Sequence, residues 1–544
     1  MKRVNYLVLI SFFAVILSFN GCHTNVKKAI LINETQSGTI KNAIIMIGDG
    51  MGPQAVGLLN SYAKYAPHSI YKAKGRTTAL EKVIETGILG LVYHEAANVL
   101  VTDSAASATQ MASGQSALSE TIGIDKYGNR TETILEIAKK MGKSTGLVSD
   151  TRITHATSAG FAAHQTHRSK ENAIAIDLLN NKVDVMLSGG LRHWIPKEAN
   201  DKSSEIYQKL KERTGNNVRI ESKRNDSRNL LDEAEHYGYA LAFTKDQLAQ
   251  AKENKLLGLF SYSAMPFRID FDVNNSKRTI PSLQEMTMKA LQILSRNENG
   301  FFLMVESGLI DWGAHDNDVG TLLHEMIRFD ETLAYIYEWV KNRNDTLFIV
   351  TADHETGGFS FSYSRRNIPK AQDFPGTVFK GEKFKPNFNF GSYDILDKIY
   401  YQKSSYQSMM DEFDALSQEQ RTVGAMKKIV NTNNAFPITE AEASVILEEE
   451  INVYYDPNHQ ELNKKLFPKI NDFEEFYVYG ESIRRDILGR ILSKQQNIVW
   501  STGTHTNTPV PLIAWGPKKV TEKFSKMLHT TKWARYAIDA LSNN

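Results

Sequence analysis

The stretch Ala43-Ile44-Ile45-Met46-Ile47-Gly48-Asp49-Gly50-Met51-Gly52 decides the class of fold. It begins with a continuous apolar run, which is typical of a strand that is covered on both faces in a parallel sheet. The run ends in glycine and in the acidic residue Asp49. Ligands of open α/β sheets gather beyond the carboxyl ends of the strands, so Asp49 is a candidate site residue.

The same pattern, an apolar run followed by glycine or polar residues, recurs along the chain. The further runs lie at 144–148, 183–187, 301–305, 346–350 and 511–515. Helical patterns lie between the runs, at 131–141, 169–180, 282–295 and 321–341. This alternation predicts the α/β class, a three-layer sandwich in which a large, mostly parallel central sheet is flanked by helices.

Two long segments interrupt the alternation, at about residues 192–277 and 360–497. The first is polar and rich in lysine, with a helical pattern at 245–254. The second is rich in tyrosine, phenylalanine and asparagine, with helical patterns at 405–417, 439–451 and 472–493. We interpret both as surface insertions that cover the site or make a subunit contact. Their aromatic residues fit an interface and a satellite hydrophobic core equally well.

The composition of the 544-residue chain excludes some classes of partner. Its 64 lysines and arginines nearly balance 62 acidic residues, for a net charge of +2. This balance gives no support for a nucleic-acid partner or a polybasic membrane contact. Because the chain has one cysteine, no internal disulfide can form, and its stability must come from packing and from metals.

The N-terminal residues have the layout of an export signal. Lys2 and Arg3 precede an apolar run at 6–19, and the cysteine follows at Cys22. Gly21-Cys22 resembles the lipobox of bacterial lipoproteins, although the two residues before it depart from that pattern, and a plain signal peptide is the alternative. We predict a signal peptide at 1–22, a tether at 23–41 and a catalytic domain at 42–544, exported to the periplasm or lipid-anchored to the outer membrane of a bacterium.

A second decisive stretch is Thr102-Asp103-Ser104-Ala105-Ala106-Ser107-Ala108-Thr109. Asp103 or Ser104 can cap a helix that Gly114 ends. A serine in the first turn lies among unpaired backbone N–H groups at the positive end of the helix dipole, which suits an anionic ligand and favours an alkoxide. Asp103 adds a carboxylate for a cation or a basic side chain. Taken alone, the stretch is better explained as an ordinary capped helix than as a functional site.

Candidate metal ligands follow several of the apolar runs. Asp311 and His315 are four residues apart, so one helical turn can direct both at a single ion. Mixtures of carboxylate and imidazole suit catalytic zinc, and sets of oxygen atoms suit magnesium. The candidates are Asp49, Glu306, Asp311, His315, Asp353, His354 and His505. Each has an ordinary explanation as a turn or a surface contact, but seven such residues at strand ends together indicate a metal centre.

These segments resemble the signature segments of the alkaline phosphatase family. They are Asp49-Gly50-Met51-Gly52, the serine stretch at 102–109, Glu306-Ser307-Gly308, Asp311, Thr351-Ala352-Asp353-His354-Glu355-Thr356-Gly357-Gly358 and Thr504-His505-Thr506. They occur in the order found in that family, and the resemblance covers nearly the whole mature chain apart from the two insertions. It implies hydrolysis of phosphate monoesters through a covalent phosphoserine, and a homodimer.

The resemblance also implies a role for each matching residue. Ser104 is the nucleophile that takes the phosphoryl group, and Arg168 binds two phosphate oxygens. Two zinc ions and one magnesium ion complete the site. Their ligands are Asp311, His315 and His505 for the zinc that binds phosphate and activates water; Asp49, Asp353 and His354 for the zinc that activates Ser104; and Asp49, Thr157 and Glu306 for magnesium. Without the resemblance, Arg168 fits a surface arginine and Thr157 a helix cap.

The sequence departs from the best-known bacterial pattern of the family at two positions. His155 stands in place of an aspartate, and Trp312 stands in place of a lysine. Other branches of the family carry similar residues. The two changes are expected to alter how the residues around the metal ligands hold phosphate. They are also expected to affect which metal occupies the position assigned to magnesium.

The alternative assignments are a phosphodiesterase, a sulfatase and a metal-binding surface lipoprotein that has no enzymatic activity. Sulfatases need proline two residues after the nucleophile, where this chain has Ala106. Diesterase relatives usually lack the magnesium site and the arginine, and both are matched here. A lipoprotein without activity would be expected to lack ligands, and none is missing.

We predict that Trp312→Lys strengthens inhibition by inorganic phosphate about tenfold, because it places a cation beside the bound anion. The measurement is the inhibition constant of phosphate during hydrolysis of an aryl phosphate. Trp312→Phe controls for the loss of the indole ring. An unchanged constant in the lysine variant would contradict the prediction.

Overall fold

A computed structural model describes residues 39–272 and 278–542. The predicted signal peptide, Cys22 and all but the last residues of the predicted tether lie outside the described residues. No helix in the described ranges combines the length and the apolar character that crossing a membrane requires.

The strands of the described residues fall into one large sheet and four small ones. In chain order the strands are β1 Asn42–Gly48, β2 Ile88–Tyr93, β3 Ser144–Arg152, β4 Val185–Gly189, β5 Ala240–Ala242, β6 Leu256–Leu259, β7 Phe301–Ser307, β8 Thr346–Thr351, β9 Glu355–Thr356, β10 Ser360–Phe361, β11 Gln372–Asp373, β12 Lys383–Phe384, β13 Glu449–Ile451, β14 Leu466–Pro468, β15 Ile498–Val499, β16 His505–Thr506, β17 Val510–Trp515 and β18 Met527–His529.

The large sheet has ten strands in the order β18-β2-β17-β8-β1-β7-β3-β4-β6-β5. Every neighbouring pair is parallel except the two pairs that β17 makes, with β2 and with β8. Helices flank the sheet, so the predicted fold class is confirmed. β1 lies in the middle and is buried along its whole length, as its apolar sequence predicts.

The helices of the described residues include one long buried helix and many short ones. In chain order they are α1 Pro53–Tyr65, α2 Ala79–Thr86, α3 Ser104–Ser113, α4 Ile134–Lys140, α5 Ala156–Ala162, α6 Glu171–Asn181, α7 Glu205–Arg213, α8 Leu230–His236, α9 Lys245–Gln250, α10 Arg268–Asp272, α11 Leu283–Leu294, α12 Leu309–His315, α13 Val319–Val340, α14 Asp394–Tyr400, α15 Tyr406–Asp414, α16 Val423–Asn433, α17 Glu440–Ile446, α18 Ile483–Gln496, α19 Lys518–Thr521 and α20 Thr530–Ser542.

Strand pairing places the polar strand ends side by side. Ile47 of β1 pairs with Glu306 of β7 on one side and with Thr351 of β8 on the other. Asp49, directly after β1, therefore lies between the ends of two neighbouring strands. The antiparallel strand β17 begins at this same edge, which is why the loop before it also reaches the candidate site.

The first insertion is not confined to the surface. It supplies β5 and β6, which form the edge of the central sheet beyond β4. The apolar residues of Leu256–Leu259 are all buried there. This run is too short to stand out in a polar, lysine-rich sequence, so pattern analysis missed it. β2 and β18 were missed for a similar reason, since each has exposed positions along one face.

The second insertion contains both buried and exposed residues, and its role as an interface stays a prediction. Its helices bury apolar side chains that include Tyr406, Met426 and Leu488, and these belong to the main hydrophobic core of the chain. In contrast, residues 361–393 are almost entirely exposed, including all eight of their aromatic residues. The pattern at 439–451 is a helix only as far as Ile446, and its last residues form β13.

The helix that carries Ser104 is packed closely against its neighbour. A Cβ atom at Gly160 of α5 would lie 2.8 Å from Cβ of Ala108 in α3. Real Cβ atoms do not approach this closely, so only glycine lets the two helices meet at this distance. The contact fixes the position of α3 relative to the sheet.

We predict that Gly160→Ala lowers the free energy of unfolding by about 1–3 kcal/mol, because the added methyl group forces α3 and α5 apart. The matched control is Gly57→Ala in α1, where a Cβ atom would have no neighbour within 4 Å. This control is expected to leave the protein unchanged or to stabilise it by up to about 1 kcal/mol. Urea unfolding measures both. Equal effects of the two substitutions would count against the packing explanation.

Candidate functional site

The candidate site lies at the carboxyl ends of three neighbouring parallel strands. Asp49 follows β1, Glu306 lies at the end of β7, and Asp353 and His354 follow β8. All four side chains are completely buried. His505, in the short strand β16, reaches the same edge from the loop before β17. This is the position at which ligands bind in open α/β sheets.

One group of candidate ligands consists of Asp311, His315 and His505. The first two lie one turn apart on α12, and one ligand atom from each of the three residues lies within 4.8 Å of the others. Nε2 of His315 is 3.1 Å from Nε2 of His505. The other ring nitrogens face backbone carbonyls: Nδ1 of His315 is 2.6 Å from the Gly503 oxygen, and Nδ1 of His505 is 2.9 Å from the Thr102 oxygen.

These carbonyl contacts determine where the imidazole protons lie. A carbonyl oxygen only accepts, so each Nδ1 must carry a proton and donate it. In their neutral form, the two rings therefore direct two Nε2 lone pairs at the same point. Burial and the nearby His354 lower the pKa of His505 to about 3, which keeps its ring neutral. Two converging lone pairs beside the Asp311 carboxylate are the arrangement of histidine ligands to one cation.

A second group consists of Asp49, Asp353 and His354, whose ligand atoms also lie within 4.8 Å of one another. Asp353 Oδ1 accepts hydrogen bonds from the backbone N–H groups of Gly50 and His354, at 3.1 and 3.0 Å. Its Oδ2 atom and Oδ1 of Asp49 have no hydrogen-bond partner among the described residues. Buried oxygens without partners are rare and costly, and a bound cation would satisfy both.

Ser104 is the first residue of α3 and is almost fully buried. Its Oγ atom lies 3.2 Å from Nε2 of His354, a member of the second group. Asp103 caps the helix as predicted, accepting from the N–H groups of Ala105 and Ala106 at 3.0 and 3.4 Å. The serine hydroxyl therefore stands between the positive end of a helix and a candidate metal position.

Arg168 reaches this serine from the loop that follows α5. Its Nη1 donates to Asp103 Oδ2 at 3.1 Å, and its Nη2 lies 3.2 Å from Nε2 of His155. Burial raises the pKa of Asp103, but Arg168 and the Glu120 backbone N–H outweigh it and hold the pKa below its usual value. The guanidinium is thus held beside Ser104, about one-quarter exposed. A planar guanidinium in this position can bind two oxygens of a tetrahedral anion.

A third group consists of Asp49, His155 and Glu306. Ser149 Oγ donates to Oε2 of Glu306 at 2.5 Å, while Oε1 has no partner among the described residues. Nδ1 of His155 also lacks a partner there. Thr157, in the first turn of α5, donates to Asp49 at 3.4 Å. The structure therefore brings Thr157 to this position as predicted, and it adds the imidazole of His155.

Trp312 lies on α12 between the two candidate ligands of that helix. Its ring meets the His155 ring edge to face, with 6.1 Å between ring centres, and the Arg152 guanidinium lies 6.0 Å from the centre of its ring. It also packs against a small apolar cluster that contains Phe267 and Leu309. A bulky apolar side chain thus fills a position next to the site.

Sequence reasoning missed several residues that orient the candidate ligands. Thr356 Oγ1 donates to Asp311 at 2.5 Å and lies 3.2 Å from Nδ1 of His354. Thr356 lies within the Thr-Ala-Asp-His-Glu-Thr stretch. Its position two residues after His354 was the one sequence feature that could have indicated a contact with the ligands. The carbonyls of Thr102 and Gly503 carry no side-chain signal, so only the structure reveals them.

The donor chemistry of the three groups fits divalent metal ions. Each combines carboxylate oxygen with imidazole nitrogen, which suits zinc and similar ions. The structure brings together every residue predicted as a ligand, and it places Ser104 and Arg168 beside them. The protein thus has a buried serine at a helix start, an arginine and positions for cations at one edge of the central sheet, an arrangement suited to the transfer of an anionic group.

Comparison with known proteins identifies relatives of this chain and structures with a similar fold. A sequence profile described as alkaline phosphatase matches residues 40–471. "Alkaline phosphatase 3" of Bacillus subtilis (strain 168) is 29% identical over 515 residues, covering 93% of this chain and 90% of that protein. The fold is similar to the crystal structure of Thermus thermophilus alkaline phosphatase, with a TM-score of 0.72 and 23% identity over 93% of this chain and 92% of that one. It is also similar to a cold-active alkaline phosphatase from Shewanella sp., with a TM-score of 0.65 and 25% identity over 92% and 99% of the two chains.

We predict that the metal-free protein loses stability as the pH rises from 5 to 8. Burial raises the pKa of Glu306 from 4.5 to about 7, and burial with Asp353 also raises that of Asp49. A carboxyl whose folded pKa exceeds its unfolded value stabilises the fold below the unfolded value and loses this effect as pH rises through the folded one. For Glu306 the expected loss is about 3 kcal/mol.

The measurement is urea unfolding of chelator-treated protein across this range. Zinc-loaded protein is the first control and is expected to show a flatter profile, because the ions compensate the carboxylates. Glu306→Gln removes one titrating group and should flatten the metal-free profile. Equal stability of the metal-free protein at both ends of the range would contradict the prediction.

Proposed function

The chain belongs to the alkaline phosphatase family and is a phosphomonoesterase, and from this premise we propose that it acts through a covalent phosphoserine on Ser104. The products are an alcohol and inorganic phosphate. In this proposal Asp311, His315 and His505 hold one zinc ion, and Asp49, Asp353 and His354 hold another. When bound, these ions supply Lewis acids that lower the pKa of the serine hydroxyl and of water and neutralise phosphoryl charge.

One observation carries the proposal: the Ser104 hydroxyl lies 3.2 Å from His354, at the start of α3 and beside buried carboxylates. A serine hydroxyl is too weak an acid to attack phosphorus unless its environment favours the alkoxide. The helix N-terminus does so through its dipole and its unpaired N–H groups. A structural serine in a helix cap needs none of the charged groups that surround Ser104.

The side chains of the pocket account for binding and for both chemical steps. Arg168 binds two phosphoryl oxygens and orients phosphorus toward Ser104. Oγ of Ser104 gives its proton to solvent and bonds to phosphorus while the bond to the leaving alcohol breaks, and the alcohol oxygen takes one proton from solvent. A water molecule then attacks the phosphoserine, releasing phosphate and restoring the serine. In this second step, one proton of the attacking water goes to the serine oxygen, and the water oxygen stays on the released phosphate. Asp103 keeps the guanidinium in place through both steps.

The third position, which involves Asp49, Thr157 and Glu306, is the proposed magnesium site. The ligand chemistry there is mixed, because the His155 imidazole belongs to the same group and its Nδ1 has no partner among the described residues. Magnesium prefers oxygen ligands, whereas imidazole favours zinc, cobalt or nickel. We therefore propose that the ion at this position is exchangeable, with transition metals competing against magnesium.

Export, anchoring and assembly remain proposals from the sequence. A signal peptide at 1–22 and lipidation of Cys22 would place the catalytic domain in the periplasm, tethered to a membrane. The proposed assembly is a homodimer. Palmitate labelling and a Cys22→Ser variant test the anchor, and light scattering of the purified protein tests the dimer.

We predict that Ser104→Ala lowers phosphomonoesterase activity at least about 10³-fold, because the nucleophile is lost. Wild-type protein that is quenched in acid during turnover should carry one phosphoryl group on the tryptic peptide with Ser104, detected by mass spectrometry. The matched control is Ser113→Ala, at the far end of the same helix, where the hydroxyl donates to the Thr109 carbonyl. Retained activity in Ser104→Ala would overturn the phosphoserine mechanism.

The related alternatives are separated by the choice of substrate. A monoesterase should hydrolyse an aryl phosphate far faster than its methyl diester or the corresponding aryl sulfate. A preference for the diester or the sulfate would favour the corresponding alternative function.

A further inference from the structure

Tyr479 brings the second insertion into contact with the candidate site. It lies between α17 and α18, just before the start of α18, and its ring meets the His315 ring edge to face, with 4.9 Å between ring centres and 84° between planes. The residue is 36% exposed, so one side of it borders solvent. It is a residue of the pocket wall that the sequence motifs do not include.

Backbone hydrogen bonds fix this segment to the loop that carries His505. The Phe476 carbonyl accepts from Thr502 Oγ1 at 2.8 Å and from the Gly503 N–H at 3.3 Å. The Tyr479 carbonyl accepts from the Ser482 N–H at 2.8 Å. The ring is therefore positioned by ordered backbone on both sides.

The hydroxyl of Tyr479 is a free donor in a charged pocket. It forms no hydrogen bond within the part of the chain that the structure describes. The charged groups near it are those of the site: Arg168, Asp311 and Asp103, together with Glu461. A phenol has an ordinary pKa of about 10, so the hydroxyl carries its proton near neutral pH.

We infer that Tyr479 is a substrate-contacting residue whose hydroxyl donates a hydrogen bond to a phosphoryl oxygen that Arg168 also binds. This inference rests on the proposed function. A half-buried phenol without a partner gains a strong acceptor when a phosphate enters, and the anion gains a donor. The second insertion thereby supplies part of the phosphate-binding site.

A purely structural role for Tyr479 makes a different prediction. In that case the ring packs against His315, and the hydroxyl makes no contact with the bound phosphate. Tyr479→Phe retains the ring and removes only the hydroxyl, whereas Tyr479→Ala removes both. The first variant therefore isolates the inferred contact, and the second reports the support given to the metal ligand.

The experiment measures binding of inorganic phosphate to zinc-loaded protein by calorimetry, with hydrolysis of an aryl phosphate and metal content as further readouts. Tyr479→Phe is expected to weaken phosphate binding by about 10- to 100-fold, the range for a hydrogen bond to a charged group. Its kcat/KM should fall by a similar factor while its zinc content stays at the wild-type value. Tyr454→Phe, an exposed tyrosine of the same insertion, is the matched control and should change nothing.

The possible outcomes distinguish failure of the inferred Tyr479 contact from failure of the proposed function. Wild-type phosphate affinity in Tyr479→Phe overturns the inferred contact and leaves the proposed function standing. Loss of zinc from Tyr479→Phe also overturns it, because the effect would then act through His315. Wild-type protein that neither binds phosphate nor hydrolyses the ester overturns the proposed function and, with it, this inference.

Discussion

Four carboxylates are buried together at one edge of the central sheet, and most features of the site depend on this crowding. Asp49, Glu306, Asp311 and Asp353 are each at most 4% exposed. Oxygens of Asp49 lie within 4.8 Å of oxygens of Asp353 and of Glu306, and like charges at that distance repel by at least about 3 kcal/mol at an effective dielectric constant of about 20. Arg168 does not compensate them, because it pairs with Asp103. Without bound cations, the folded protein must protonate some of these carboxyls or some of the imidazoles that face the same space, and the pKa values of His315 and His354 are raised by the neighbouring carboxylates Asp311 and Asp353. Bound cations remove the need for either protonation.

The fold creates this crowding through its strand order. β1 lies between β7 and β8, so the residues that follow three sequence-distant strands become neighbours. The antiparallel β17 runs in the opposite direction, and its preceding loop therefore reaches the edge where parallel strands end. A fully parallel sheet would place that loop at the other edge and would remove His505 from the site. Within the large sheet of the described residues, the antiparallel direction of β17 is thus what brings His505 to the candidate site.

Both the fold class and the candidate ligand residues could be identified from the sequence, because both depend on strong local signals. Long apolar runs followed by acidic residues mark central strands, and capping residues mark α3. Short strands near the end of the sheet, such as Leu256–Leu259, lack such a signal, since a run of this length is equally compatible with a loop or a helix. His155 was interpreted as a neighbour of the ligands, but the structure groups its imidazole with the candidate ligands Asp49 and Glu306. That difference depends on the direction of one ring, which no sequence pattern determines. Thr356 and Tyr479 were missed because their roles arise from contacts with residues far away in the chain.

The second insertion has a role in the site beyond covering it. The three residues that follow His315 are all bonded to structure outside the motifs: Asp316 pairs with Arg485 at 3.1 Å, Asn317 donates to the Thr502 carbonyl at 3.0 Å, and Asp318 accepts from the Tyr406 N–H at 2.8 Å. The end of α12, and with it His315, is therefore held by α15, α18 and the loop before β16. Because ligand positions within a few tenths of an ångström decide metal affinity and reactivity, changes in this insertion can alter the metal site without altering any ligand. The motifs determine the chemistry of the site, and the packing of the insertion against α12 and α13 determines how rigidly that chemistry is held.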